Sequence, residues 1–177
     1  ILALGGLLLA LSITPPATAG ETVSVGLTTQ GAGSNDIPIA IPLPKGDGLG
    51  TDEYYATLKR DLEISGFFKV IDPKAYVEPA SAGIHLGEFD FASWRTPGAA
   101  ALAKTSLGAN GDGLRAEVWV YDVAGGTKLG AKAFSGPKTA ARTLAHRTAD
   151  AIISFVTGNR SFFDTRVDYM TKLGPAF

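Results

Sequence analysis

The tetrad Asn110-Gly111-Asp112-Gly113 limits the possible folds more than any other part of this chain. Its glycines can take the positive backbone angles of a tight reversal, and apolar segments lie on both sides, so it predicts a β-hairpin. Downstream, Leu114 to Val123 alternates, with Ala116, Val118 and Val120 facing one way and Glu117, Trp119 and Tyr121 the other. Gly125-Gly126 then turns the chain into Lys128 to Phe134, giving a meander. Upstream, Ala99 to Leu107 is compatible with a buried strand. A sheet of this kind has an apolar face that something else must cover.

Two helices are predicted to supply the cover. Thr51 or Asp52 can cap the first, which carries Tyr55, Leu58 and Leu62 at helical spacing and stops at Ser65-Gly66. Pro137 or Lys138 opens the second, with Leu144, Ala145, Ala149, Ile152, Ile153 and Val156 as its apolar face. Ile37 to Leu43 is β-like, and Pro38 and Pro42 place it at an edge or at strand ends. Lys45 to Gly50 reads as a loop. Phe68 to Ile71 is a short strand closed by Asp72-Pro73, and Phe89 to Arg95 is a short helix or turn that plants aromatics on the core. The expected fold is α+β, with both helices on one face of a mixed, roughly five-stranded sheet.

The ends of the chain suggest where it works. Residues 1–19 begin with an uncharged apolar run, Ile1 to Ile13, and end in Ala17-Thr18-Ala19, a small-x-small pattern. That arrangement predicts a secretory signal cleaved after Ala19, leaving no direct membrane span. Residues 20–36 read as a flexible N-terminal segment in which Val23, Val25 and Leu27 alternate with polar residues. Residues 37–164 form the α+β domain and 165–177 a linker or strand. The 16 Lys+Arg and 17 Asp+Glu are interspersed, which argues against nucleic acid as a partner. With no cysteine, disulfides and thiolate metal sites are excluded.

A search for catalytic or ligand-binding motifs returns little. The sequence has no phosphate loop, no HExxH and no GxSxG, and the hairpin accounts for the glycines from Gly108 to Gly113. A zinc site would have to combine His85 or His146 with carboxylates from distant segments; neither a metal nor a cofactor is expected. The one chemical pattern is a stripe at i, i+4 and i+8: Arg142, His146 and Asp150. His146 with Asp150 behind it suggests an acid/base pair, and Ser135, Ser154 or Ser161 is a conceivable nucleophile. None of these serines sits in a strained strand-to-helix turn. The alternative is structural, with His146 bonding a neighbouring group while Arg142 and Asp150 make helix-surface or interdomain ion pairs.

An ordered set of short motifs resembles the N-terminal domain of the TolB family of the periplasmic Tol–Pal system. The set runs Asp61-Leu62 with Ser65-Gly66-Phe67-Phe68, then Trp94-Arg95 with Gly98-Ala99, then Asp112-Gly113. It continues through Tyr121-Asp122-Val123 with Gly126 and Leu129. It closes with Arg142, Ala145-His146, Asp150, Thr157-Gly158 and the run Phe163 to Tyr169. The resemblance implies two helices on a mixed five-stranded sheet and a non-enzymatic periplasmic role in envelope integrity, cell division and protein import. It implies a TolA-like inner-membrane partner bound through Glu21, Thr22, Val23, Ser24, Val25, Gly26 and Leu27 by strand addition. A Pal-like lipoprotein would bind only where a propeller, expected after Phe177, is supplied. Arg142, His146, Asp150, Thr165, Arg166 and Tyr169 are then interdomain or structural residues. Two other functions stay open: a domain that orients a neighbouring domain, and a hydrolase using His146.

Overall fold

The computed structural model describes residues 36–46, 49–79, 81–159 and 163. The expected signal (1–19), the segment Glu21 to Leu27, and Thr165, Arg166 and Tyr169 lie outside the described residues. Among the described residues there are six strands, three α-helices and one turn of 3-10 helix at Pro73–Ala75. In chain order the strands and α-helices are β1 (Ile37–Ala40), β2 (Lys45–Gly46), α1 (Thr51–Ile64), β3 (Phe68–Val70), α2 (Ala92–Arg95), β4 (Ala101–Asn110), β5 (Gly113–Asp122), β6 (Thr127–Pro137) and α3 (Ala141–Thr157).

The hairpin forms where expected. Asn110 pairs with Gly113, Gly111 has φ 58° and Asp112 a negative φ, the pattern of a type II′ turn. Strands β4, β5 and β6 make the antiparallel meander, and the sheet order is β3-β1-β4-β5-β6, with β2 also pairing β4. Strands β1 and β2 run parallel to β4, and β3 runs parallel to β1, so the sheet is mixed.

The alternation in β5 sorts two cores. Ala116, Val118 and Val120, with Ala101, Ala103 and Leu107 of β4, pack against Tyr54, Leu58 and Leu62 of α1 and Leu144, Ala145, Ala149, Ile152 and Ile153 of α3. Each fully buried leucine contributes roughly 1.5–3 kcal/mol relative to exposure. On the other face, Leu102 and Tyr121 pack with Ala40, Trp94, Ala99 and Val123. The segment between β3 and β4 covers this second face. Phe89 and Phe91 meet Tyr121 at ring-centroid distances of 5.1 and 5.8 Å, and the Tyr121 hydroxyl donates to the Ile84 carbonyl at 2.6 Å. The domain therefore has three layers: helices, sheet, and an aromatic-rich loop layer that includes α2.

Five local expectations are corrected. Strand β1 lies inside the sheet, between β3 and β4. Pro38 is tolerated because the β1–β4 register starts one residue later, and Pro38 supplies only its carbonyl, to the Ala100 N–H at 2.9 Å. The loop expected from Lys45 contains the short strand β2. Gly50, with φ 69°, is the N-cap of α1, and neither Thr51 nor Asp52 caps it. Tyr54 is the fully buried tyrosine of α1, whereas Tyr55 is half-buried and donates to the Ile41 carbonyl at 3.1 Å. Helix α3 starts at Ala141 because β6 keeps pairing as far as Pro137 opposite Gly113, and a turn from Pro137 to Ala140 intervenes.

Candidate functional site: the polar cleft between the two long helices

Helices α1 and α3 cross on the sheet, and their shared seam carries both apolar and polar contacts. Deep in the seam, the Tyr54 hydroxyl donates to Thr148 Oγ1 at 2.9 Å, and the Thr148 hydroxyl donates to the Leu144 carbonyl at 2.8 Å. Burial pushes the Tyr54 phenol far above its ordinary range, and the hydrogen bond with Thr148 only partly opposes that.

Nearer the surface, His146 Nδ1 lies 2.6 Å from Asp61 Oδ2. The Asp61 side chain is only 5% exposed and that of His146 26%. The imidazole thus supplies the hydrogen bond and, when protonated, the charge that a covered carboxylate needs. Asp61 sits one turn from the end of α1, and its backbone carbonyl accepts the Ser65 N–H that closes the helix. One residue therefore ends α1 and ties it to α3.

Around this pair is a cleft of about 160 Å³ lined by Ala56, Thr57, Arg60 and Asp61 of α1 and by Arg142 and His146 of α3. Arg60 and Arg142 are exposed, and neither has an ion-pair or hydrogen-bond partner among the described residues.

The expected stripe therefore divides. Arg142 and His146 share the cleft, whereas the Asp150 Oδ1 accepts the Phe163 backbone N–H at 3.0 Å. The residue that orients His146 is Asp61, 85 positions away, not Asp150 one turn along. No serine hydroxyl among the described residues hydrogen-bonds His146. In the sequence Asp61 stands out only as part of a motif. A buried polar position on the apolar side of α1 was the signal that could have marked it as a partner. Among the described residues no cluster of His, Asp and Glu is arranged to hold a metal ion, and no helix is long and apolar enough to cross a membrane.

A second polar cluster lies on the opposite face of the sheet. Lys104 of β4 is 1% exposed and is paired with the nearly covered Glu78, which also accepts the Trp94 indole N–H at 3.2 Å. The ammonium stands 4.3 Å from the Phe89 ring centroid. Burial pushes the Lys104 ammonium below its ordinary range, and Glu78 opposes the shift. The cluster pins the loop layer to the sheet, a role that a lone lysine inside a small-residue strand does not announce.

The family model described as the TolB amino-terminal domain matches residues 25–129. The Tol-Pal system protein TolB of Dechloromonas aromatica strain RCB is 34% identical over 165 residues, covering 93% of this chain and 37% of the relative. The protein of the same name from Geobacter sulfurreducens is 31% identical over 169 residues, covering 93% and 38%. The chain thus spans little more than a third of the length of these relatives. The crystal structure of TolB from Acinetobacter baumannii superposes with a TM-score of 0.56 at 23% identity, covering 71% of this chain and 29% of that one, a likeness of fold.

Proposed function

Because the chain belongs to the TolB family, matched over its amino-terminal domain, we propose that it acts as a non-enzymatic periplasmic adaptor of the Tol–Pal system. The observation that carries this reading is the family match across most of the α+β domain. In this reading Glu21 to Leu27 adds as a strand to a TolA-like inner-membrane protein. Backbone pairing gives affinity, and Val23, Val25 and Leu27 fill alternate pockets. A Pal-like lipoprotein is bound where a propeller is supplied. The role is one of envelope integrity, cell division and protein import, and it follows cleavage of residues 1–19.

The cleft chemistry is consistent with a scaffold. A hydrolase needs a nucleophile beside its imidazole; Asp61 orients His146, but no serine hydroxyl among the described residues bonds it. The contact between Asp150 and Phe163 favours an accompanying role: it fixes the chain where it leaves α3 and so orients whatever follows. Thr165, Arg166 and Tyr169 would continue that junction.

The deciding experiment is capture of a TolA-like periplasmic domain by the mature chain and by a variant lacking residues 20–27. Capture by the first and loss in the second is the expected result. Equal capture by both would sink the strand-addition route. Restoring downstream sequence and finding that solubility depends on it would favour the orienting role instead. A folded H146A variant that lost a measurable hydrolytic activity would overturn the non-enzymatic reading.

A further inference from the structure

We propose that the cleft between α1 and α3 is a recognition site for a carboxylate, the Asp or Glu side chain of a docked protein segment. The inference rests on the adaptor reading and names a second contact within it. Arg60 and Arg142 reach the same small cleft from two helices, and neither is neutralised among the described residues. The acid best placed to neutralise them, Asp61, is covered and committed to His146. Two arginines lining one cleft with no ion-pair partner among the described residues concentrate positive charge there, and an incoming carboxylate neutralises it while accepting from their planar forks.

The rest of the wall suits the same ligand. His146 lines the cleft with its Nδ1 engaged by Asp61, so the ring can meet a ligand only through Nε2, which donates to a carboxylate when the imidazole carries both protons. Thr57 adds a hydroxyl that makes no hydrogen bond among the described residues. A volume of about 160 Å³ accepts one acidic side chain, not an extended organic ligand. A protein carboxylate is favoured over free phosphate because a family acting within the Tol–Pal system works through protein partners. The helices are also tied together by contacts that need no ligand, the bond between Tyr54 and Thr148 and the pair of Asp61 and His146, so the site is preformed.

The test is an NMR titration of the full chain, following arginine side-chain and His146 ring resonances. The probes are a capped hexapeptide with two adjacent glutamates, the same peptide with glutamines, and inorganic phosphate. The glutamate peptide should shift the Arg60, Arg142 and His146 signals, and the glutamine peptide should not. The R60Q/R142Q variant, whose changes are at exposed positions, should keep its melting curve and bind the glutamate peptide at least tenfold more weakly. R60K/R142K should recover part of the loss. Equal shifts from the two peptides, undiminished binding by R60Q/R142Q, or tighter binding of phosphate than of the glutamate peptide would each overturn the proposal. Failure of the adaptor reading is distinguishable. A chain that binds the glutamate peptide through the cleft yet captures no envelope partner would sink the adaptor alone. One that captures a partner through Glu21 to Leu27 with no dependence on Arg60 and Arg142 would sink the cleft alone.

Discussion

Replacing Thr148 by valine should destabilise the domain more than removing the hydroxyl of Tyr54, although both changes break the same 2.9 Å hydrogen bond. Both side chains are fully buried. In Tyr54→Phe the Thr148 hydroxyl keeps its bond to the Leu144 carbonyl, so only the net value of one hydrogen bond is lost, about 1 kcal/mol. In Thr148→Val the phenol stays in the core without its 2.9 Å partner, and the Thr105 hydroxyl is the nearby group it would have to turn to. That adds a desolvation cost of about 1–3 kcal/mol, for a total of roughly 2–4 kcal/mol. The double variant removes donor and acceptor together and should be less destabilised than Thr148→Val alone. Urea unfolding of the four proteins, with slopes that stay equal, gives the cycle directly. The buried Thr105 Oγ1 makes no hydrogen bond of its own. A Thr148→Val cost at or below that of Tyr54→Phe would mean that the phenol finds such an alternative acceptor, and would refute the reasoning.

Gly130→Ala should cost about 1–3 kcal/mol, because a Cβ there would fall 2.4 Å from the Phe155 ring of α3; a smaller side chain at 155 should recover part of the loss in a thermal melt. Lys104→Met should cost about 3–5 kcal/mol by leaving Glu78 covered without its counter-charge, and adding Glu78→Gln should reduce the penalty. Raising the pH should unfold the domain through its tyrosines. Burial lifts Tyr121 to about 12 in the fold against about 10 in the unfolded chain. The unfolded state therefore loses its proton first. The stability is fully present below pH 10 and falls by about 1.4 kcal/mol per pH unit as the pH rises toward 12. The difference in tyrosinate absorbance between the chain and a Tyr121→Phe variant, followed beside circular dichroism, should place the ionisation of Tyr121 at unfolding; a difference that appears near pH 10 while the protein is still folded would contradict the assignment.

The sequence by itself determined the elements whose signals are local. The glycines at 111 and 113 set the hairpin, the two-residue period of β5 sorted its faces, and the spacing of Leu58 and Leu62 marked the covered side of α1. Where a local signal was ambiguous it misled. Pro137 looked like a helix start and is the last residue of an edge strand, and Tyr55 stood in for its neighbour Tyr54 as the buried ring. Only the tertiary structure decided the partners of the polar groups. His146 has an acid one turn away in sequence, yet the crossing of α1 and α3 brings Asp61 to 2.6 Å and leaves Asp150 to hold Phe163. Lys104 and Glu78, 26 positions apart, meet only because the loop layer folds back over the sheet. A carboxylate or ammonium can be satisfied by any oppositely charged or hydrogen-bonding group that packing brings within about 3 Å. That choice is made by how helices and loops cross the sheet, a property of the assembled layers to which no period or spacing along the chain corresponds.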